Sequence, residues 1–243
     1  VIAPDQRGYS PNARPTFIKE YSLNHTSSDV LAIANAYNLQ RFHLVGHDWG
    51  SSVGWAFIAE HPERLYSWTS LSIPHMKAFQ EAYRSDFDQQ RRSKYIKFFN
   101  VPFFPELYLS YNGYNNLKNI WSAHDDEEKE AYLSVFRQSG ALRSALNWYR
   151  ANIGRHRKLT DHINFGIVEV PSLLIWGNMD MAIGRKSIVL NKQYMAGPYN
   201  LLELYAGHWL IQESFKDVSK AIIKHIKTYS LEYYEPQLGR KKK

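Results

Sequence analysis

Phe42-His43-Leu44-Val45-Gly46-His47-Asp48-Trp49-Gly50-Ser51-Ser52 is the stretch on which the reading of this chain turns. Phe42 to Val45 is an apolar run of strand length. Gly46-x-Asp48-x-Gly50 breaks it sharply, and a helical pattern over residues 52–60 comes next and stops before Pro62. A strand-to-helix reversal this tight holds its central side chain exposed at the strand's C-terminal edge, and small residues on either side let the backbone pass closely. The helix adds free N–H groups and the positive end of its dipole, which favour an anion. Two roles fit Asp48. It can cap the next helix, since Asp is a favoured N-cap. Or it can act as a nucleophile, because a carboxylate needs no base and can attack an sp3 carbon to form an ester.

Outward from this turn, short apolar runs alternate with helical patterns. Residues 65–73 read as a strand, 171–176 as a strand, 187–195 as a helix, 201–204 as a strand and 213–229 as a helix. Before the turn, Thr26 is a helix N-cap candidate with Asp29 three residues on, and Val30, Ile33, Ala34 and Tyr37 share one face. Alternation of this kind implies βαβ crossovers and a parallel sheet, so the fold class is α/β. Residues 4–15, rich in Pro, Gly, Asn and Ser, read as a loop. Val1-Ile2-Ala3-Pro4 reads as the exit of a buried strand with no start methionine, so the chain is expected to be a piece of a longer one.

Residues 74–168 differ: they are aromatic-rich, carry the basic-rich segment 89–97 and the helix-start signal Asp125-Asp126-Glu127-Glu128, and show no convincing strand. A mainly helical insertion is expected there, too long for a structureless loop. The resulting organisation is a core α/β domain in two parts, 1–73 and 169–230, with a helical cap at 74–168 and a basic tail at 231–243.

The chain's 243 residues, 44% apolar and 22% charged, suit an ordered globular protein and exclude disorder. No apolar run approaches the ~18 residues of a membrane span. With no cysteine, disulfides, thiolate metal sites and cysteine nucleophiles are excluded. The net charge of +7 could suggest a nucleic-acid partner, but four of those charges are the terminal run Arg240-Lys241-Lys242-Lys243 and the rest of the chain carries +3, so no nucleic-acid partner is expected. No HExxH, ligand-spaced His/carboxylate cluster or glycine-rich phosphate loop is present, so no metal or cofactor is expected. The expected location is the cytoplasm, with a leader beyond judgement.

A carboxylate nucleophile leaves an ester that must be hydrolysed, which requires a base for water and an orienter for that base. Asp180 lies four residues beyond Trp176, at the end of the most apolar strand, and His208 comes after the strand at 201–204 in Ala206-Gly207-His208-Trp209. Both fall in loops at strand C-termini, where open α/β sheets place their sites. Each has a plainer reading, a turn-capping aspartate or one of ten histidines, but the order nucleophile, acid, histidine is that of α/β hydrolases.

On these residues the chain resembles the epoxide hydrolase branch of the α/β-hydrolase superfamily. Ala3-Pro4-Asp5-Gln6-Arg7-Gly8-Tyr9-Ser10 resembles the loop after the fourth strand of that fold. Val45 to Gly50 resembles its aspartate elbow, Ile175-Trp176-Gly177-Asn178-Met179-Asp180 its acid loop and Gly207-His208-Trp209 its histidine loop. The likeness extends to about Tyr229. It implies an α/β-hydrolase fold with an inserted helical cap, whose leading strands would lie before Val1 together with the family's His-Gly-x-Pro oxyanion loop. It also implies that two cap tyrosines bond the epoxide oxygen. Ser93-Lys94-Tyr95-Ile96-Lys97-Phe98-Phe99 resembles the segment bearing the first, although Tyr83 and Tyr108 are nearby alternatives, and Leu146-Asn147-Trp148-Tyr149-Arg150 resembles that bearing the second. Ser51 stands where relatives often have glycine.

The implied activity opens epoxides to vicinal diols. Asp48 is the nucleophile, Asp180 and His208 the acid–base pair, Tyr95 and Tyr149 the oxygen donors, and the Trp49 N–H an oxyanion donor. The partner is a small apolar epoxide or related electrophile; a homodimer is left open. A haloalkane or haloacid dehalogenase using the same Asp48, and an inactive ligand-binding homologue, are the alternatives.

Overall fold

An apolar strand run needs partners for its backbone N–H and C=O groups, and four runs here supply one another. The computed structural model describes residues 1–121, 123–153 and 163–230. The strands are β1 (Phe42–His47), β2 (Leu65–Leu71), β3 (Ser172–Gly177) and β4 (Tyr199–Leu204). They form one sheet in the order β1-β2-β3-β4, every pair parallel. The inner strands β2 and β3 are buried along nearly their whole length, as parallel strands covered on both faces should be. β1 stands at an edge and leaves Val45 exposed.

The helices are α1 (Leu23–Ala36), α2 (Trp49–Glu60), α3 (Met76–Ser85), α4 (Phe87–Arg92), α5 (Lys94–Phe99), α6 (Phe104–Lys118), α7 (Asp126–Phe136), α8 (Ala141–Asn152), α9 (Arg185–Asn191), α10 (Leu210–Glu213) and α11 (Phe215–Tyr229). They fall into two compact units: Val1–Val30 with Ser93–Ile163, and Leu31–Arg92 with Asn164–Lys243.

The second unit holds the sheet. There α11 brings Val218, Ala221 and Ile222 against Leu71, Leu173, Ile175, Leu202 and Leu204. α2 packs on β1 and β2 so closely that a Cβ at Gly54 would stand 2.0 Å from the Trp68 ring. Trp55 closes this corner edge-on to Trp68, at 5.5 Å between ring centres, and donates its indole N–H to the Ile73 carbonyl at 3.0 Å.

The first unit is helical and is tied to its leading segment by polar bonds rather than by a ladder. The fully buried Trp148 donates to the Arg7 carbonyl at 2.9 Å, and Arg7 forks onto both Asp29 oxygens at 2.8 and 2.6 Å. Asn152 accepts from the Leu23 N–H at 2.8 Å and donates to the Tyr21 carbonyl at 2.9 Å. α6 is interrupted at Tyr111–Tyr114, where Asn112, Gly113 and Tyr114 take positive φ.

Several expectations need correction. Val1 to Pro4 forms no strand and is exposed, since no strand partners it. Thr26 is not a cap: α1 begins at Leu23 because Asn152, distant in sequence, takes up its first N–H, and the Thr26 hydroxyl lies inside the helix within 3.3 Å of the Ser22 and Leu23 carbonyls. β2 ends at Leu71 rather than Ile73, because Ser72 turns the chain at φ 69. The helix expected over 187–195 is α9 plus a 3-10 turn at Lys192–Tyr194, and that over 213–229 is broken between α10 and α11 at Ser214. Asp125 does start α7, its carboxylate accepting from the Glu128 N–H at 2.8 Å. Part of the expected cap (154–162) and the basic tail at 231–243 lie outside the described residues.

Gly54 gives a test of this packing. In an exposed helix Gly→Ala gains about 1 kcal/mol, but here the added methyl must displace a fully buried indole, and overpacking typically costs about 1–3 kcal/mol. Gly54→Ala is expected to lower the midpoint of urea unfolding; an unchanged or raised midpoint would contradict the close α2–β2 packing.

Candidate active site

β1 ends at His47 and α2 begins at Trp49, so a single residue, Asp48, makes the reversal. It sits at φ 50, ψ −118, a conformation that a non-glycine residue adopts only when its surroundings hold it there. The surroundings do so. A Cβ on Gly46 would stand 2.4 Å from the Gly50 carbonyl oxygen, so only glycine lets the strand pass the helix. The Ser51 hydroxyl lies 2.6 Å from the Gly46 carbonyl and 3.0 Å from that of Leu71, and it accepts from the Leu71 N–H at 3.2 Å. Ser51 thus joins the elbow to β1 and β2, a bond that glycine in its place could not make.

The Asp48 side chain makes no cap bond to α2. Its Oδ1 lies 3.2 Å from His208 Nε2, and His208 Nδ1 lies 2.9 Å from Asp180 Oδ2. Asp180 is fully buried, and its other oxygen accepts from the N–H groups of Ala182 at 2.7 Å and Ile183 at 3.0 Å. An imidazole ring is therefore held between two carboxylates at the C-terminal ends of β1, β3 and β4. The acid and histidine loops run side by side. The Met179 N–H donates to the Ala206 carbonyl at 3.0 Å, and a Cβ on Gly177 would stand 2.3 Å from the Ala206 and Gly207 carbonyls.

Electrostatics derive from this geometry. Burial opposes a charge on His208, but hydrogen bonds to Asp180 and Asp48 and their negative charge outweigh it, raising its pKa to about 10. Burial likewise opposes the Asp48 charge, yet the bond and charge of His208, with help from the Trp49 N–H, hold that carboxyl below its ordinary range. His47 is held down by burial and by the neighbouring His208. These shifts favour a charged trio at rest, an imidazolium between the carboxyl groups of Asp48 and Asp180.

Sequence reasoning missed the residues that hold the two loops. The side-chain oxygen of the buried Gln89, on α4, accepts from the Gly184 N–H at 2.8 Å, while its amide donates to the Ala182 carbonyl at 2.8 Å. Arg92 donates to the Asp180 carbonyl and to Asp88. His47, Ser72 and Glu213 bond the backbone on either side of His208. These are long-range side-chain–backbone contacts, which leave no spacing in a sequence; only Glu213, close behind Gly207, had a local position that could have drawn notice.

In the helical unit, Tyr95 and Tyr149 are brought together, their rings 5.9 Å apart and nearly perpendicular, with Phe99 beside both. Tyr108 packs instead on Phe98, and Tyr83, on α3, stacks on Phe79. Among the described residues no group of three or more His, Cys, Asp or Glu is placed to hold a metal, and no helix is long and apolar enough to cross a membrane.

A parallel sheet, an aspartate elbow and a His–Asp pair at strand ends define a class, and comparison with known proteins agrees. A family model described as the alpha/beta hydrolase fold matches residues 1–214, and the chain belongs to that family. It is 32% identical over 234 residues to epoxide hydrolase 4 of Homo sapiens, a match spanning 91% of this chain and 63% of that protein. It is 30% identical to the AB hydrolase superfamily protein YfhM of Bacillus subtilis (strain 168), over 93% of this chain and 80% of that one. The fold matches the crystal structure of the Bacillus megaterium epoxide hydrolase with a TM-score of 0.79 at 20% identity, covering 88% of this chain and 79% of that one. Epoxide hydrolase A from Mycobacterium thermoresistibile gives 0.76 at 24% identity, covering 94% and 82%.

The trio makes a pH prediction. His208 has a raised folded pKa, so its stabilisation is fully present below the unfolded value of about 6.5 and is lost as pH rises through about 10. Melting temperature should therefore fall between these limits, and fall less in His208→Gln. Parallel pH profiles for the two proteins would contradict the imidazolium assignment.

Proposed function

We propose that this chain hydrolyses epoxides to vicinal diols through an ester on Asp48. The observation that carries the reading is a carboxylate, not a hydroxyl, at the elbow beside an imidazole paired with a buried acid. A carboxylate attacks an sp3 carbon directly, whereas acyl transfer at this elbow calls for a serine that the imidazole deprotonates. The Tyr95–Tyr149 pair favours epoxide over halide, because a phenol of pKa ~10 can bond or protonate an opening alkoxide at neutral pH. The similarity to human epoxide hydrolase 4 points the same way.

In this reading Asp48 attacks an epoxide carbon, the C–O bond breaks, and Tyr95 and Tyr149 stabilise and protonate the oxygen. The new ester is neutral, so His208 loses one of the two charges that hold its proton. That proton passes through solvent to the phenolate, leaving His208 neutral and able to act as a base. Oriented by Asp180, it takes a proton from water as the oxygen adds to the Asp48 carbonyl carbon. The tetrahedral oxyanion is met by the Trp49 N–H, and the ester C–O bond then breaks. His208 returns the proton to the departing alkoxide and recovers one from the Asp48 carboxyl, which restores the trio. Epoxide and water give diol with no net change in the protein. The charge that makes His208 a poor base at rest is removed by the step that creates its task.

Intact-mass measurement after exposure to styrene oxide tests this. His208→Gln should accumulate a one-to-one adduct, and Asp48→Asn none. Tyr149→Phe should slow adduct formation by about 10²-fold or more, the scale of general acid catalysis. A folded His208→Gln protein that forms no adduct would sink the nucleophile assignment, while halide release from a bromoalkane in place of diol formation would favour a dehalogenase.

A further inference from the structure

The backbone around His208 is gripped from two sides by residues with no part in the aspartyl-ester chemistry. On one side the His208 carbonyl lies 2.8 Å from His47 Nε2 and 3.2 Å from the Ser72 hydroxyl. A carbonyl can only accept, so His47 carries its proton on Nε2 and Ser72 is also the donor. On the other side the Glu213 carboxylate accepts from the Gly207 N–H at 2.6 Å and the Trp209 N–H at 3.2 Å. The two amides flanking the catalytic histidine are therefore held by one carboxylate, and its carbonyl by two donors.

The surrounding sequence is fitted to this arrangement. A Cβ on Gly207 would stand 2.8 Å from Glu213 Oε1, so glycine lets the carboxylate reach the amide. Ser72 adopts φ 69 at the end of β2, and His47 is the last residue of β1, next to the nucleophile. The His47 ring lies 5.0 Å from that of His208 and 5.9 Å from that of Trp209. The grip thus ties the histidine loop to the ends of β1 and β2 and to α10.

Resting on the aspartyl-ester reading, we propose that His47, Ser72 and Glu213 are positioning residues that fix His208 for ester hydrolysis alone. At rest the imidazole is aligned by bonds to both carboxylates. Once Asp48 is esterified, the charged bond on the Nε2 side is gone, at the moment when Nε2 must meet water. Asp180, the backbone grip and the His47 and Trp209 rings packed on the imidazole then set its direction. Attack by Asp48 needs no base, so ester formation is insensitive to the grip while ester hydrolysis depends on it.

Time-resolved intact-mass measurement with styrene oxide separates the two steps. His47→Ala and, at the surface, Glu213→Ala should form the ester at the wild-type rate. They should hydrolyse it roughly 10- to 100-fold more slowly, the scale of a catalytic group misplaced by about 1 Å, so that ester accumulates. His47→Gln, whose amide can occupy the Nε2 position and donate, should recover hydrolysis. A merely structural role would slow both steps together, and that result overturns the proposal, as does failure of His47→Gln to improve on His47→Ala. His208→Gln run alongside keeps the failures apart. No ester there refutes the aspartyl-ester reading, whereas ester there with unchanged hydrolysis in both alanine variants refutes the grip alone.

Discussion

The His208 ring, with one nitrogen set against each of two carboxylates, is the interaction on which the rest of the site depends. Asp180 is fully buried, and a buried carboxylate persists only if its lone pairs are satisfied. Two backbone N–H groups take one oxygen and the imidazole takes the other. The imidazole in turn is buried, and its positive charge is sustained by the acid on one side and the elbow aspartate on the other. Removing either carboxylate takes away part of what sustains that charge, which is why the three are better regarded as one unit than as three residues.

The sheet exists, for function, to bring the members of that unit together. Parallel strands direct all their C-terminal ends to one edge, and β1, β3 and β4 each end in a loop bearing one of the three. Two of those loops are kept in place by backbone closeness that only glycine permits: Gly46 against Gly50, and Gly177 against the Ala206 and Gly207 carbonyls. The strained φ of Asp48 serves the same close fit, since it aims the carboxylate at the imidazole.

Much of this was legible in the sequence, and the pattern of what was not is physical. The elbow was legible because glycine spacing and a strand-to-helix switch are local. Asp180 and His208 were legible because they come after apolar strands in an order that such sheets use. The start of α1 was misread because its first N–H is satisfied by Asn152, more than a hundred residues away, which no local capping signal reveals. Val1 to Pro4 was misread because apolar residues make a strand only when another strand accepts their backbone. Gln89, Arg92 and Ser72 were invisible for a related reason: their partners are main-chain atoms of distant loops, and any residue could supply a main-chain atom.

In the proposed mechanism the elbow aspartate holds His208 as an imidazolium until that aspartate is esterified. Histidine 15N NMR measures this directly, by comparing the His208 ring signals in the unmodified protein with those of Asp48→Asn, whose neutral side chain stands in for the ester. His208 should stay doubly protonated above pH 8 in the unmodified protein and lose its proton at distinctly lower pH in Asp48→Asn. A neutral His208 ring at pH 7 in the unmodified protein, or the same titration in both, would contradict it.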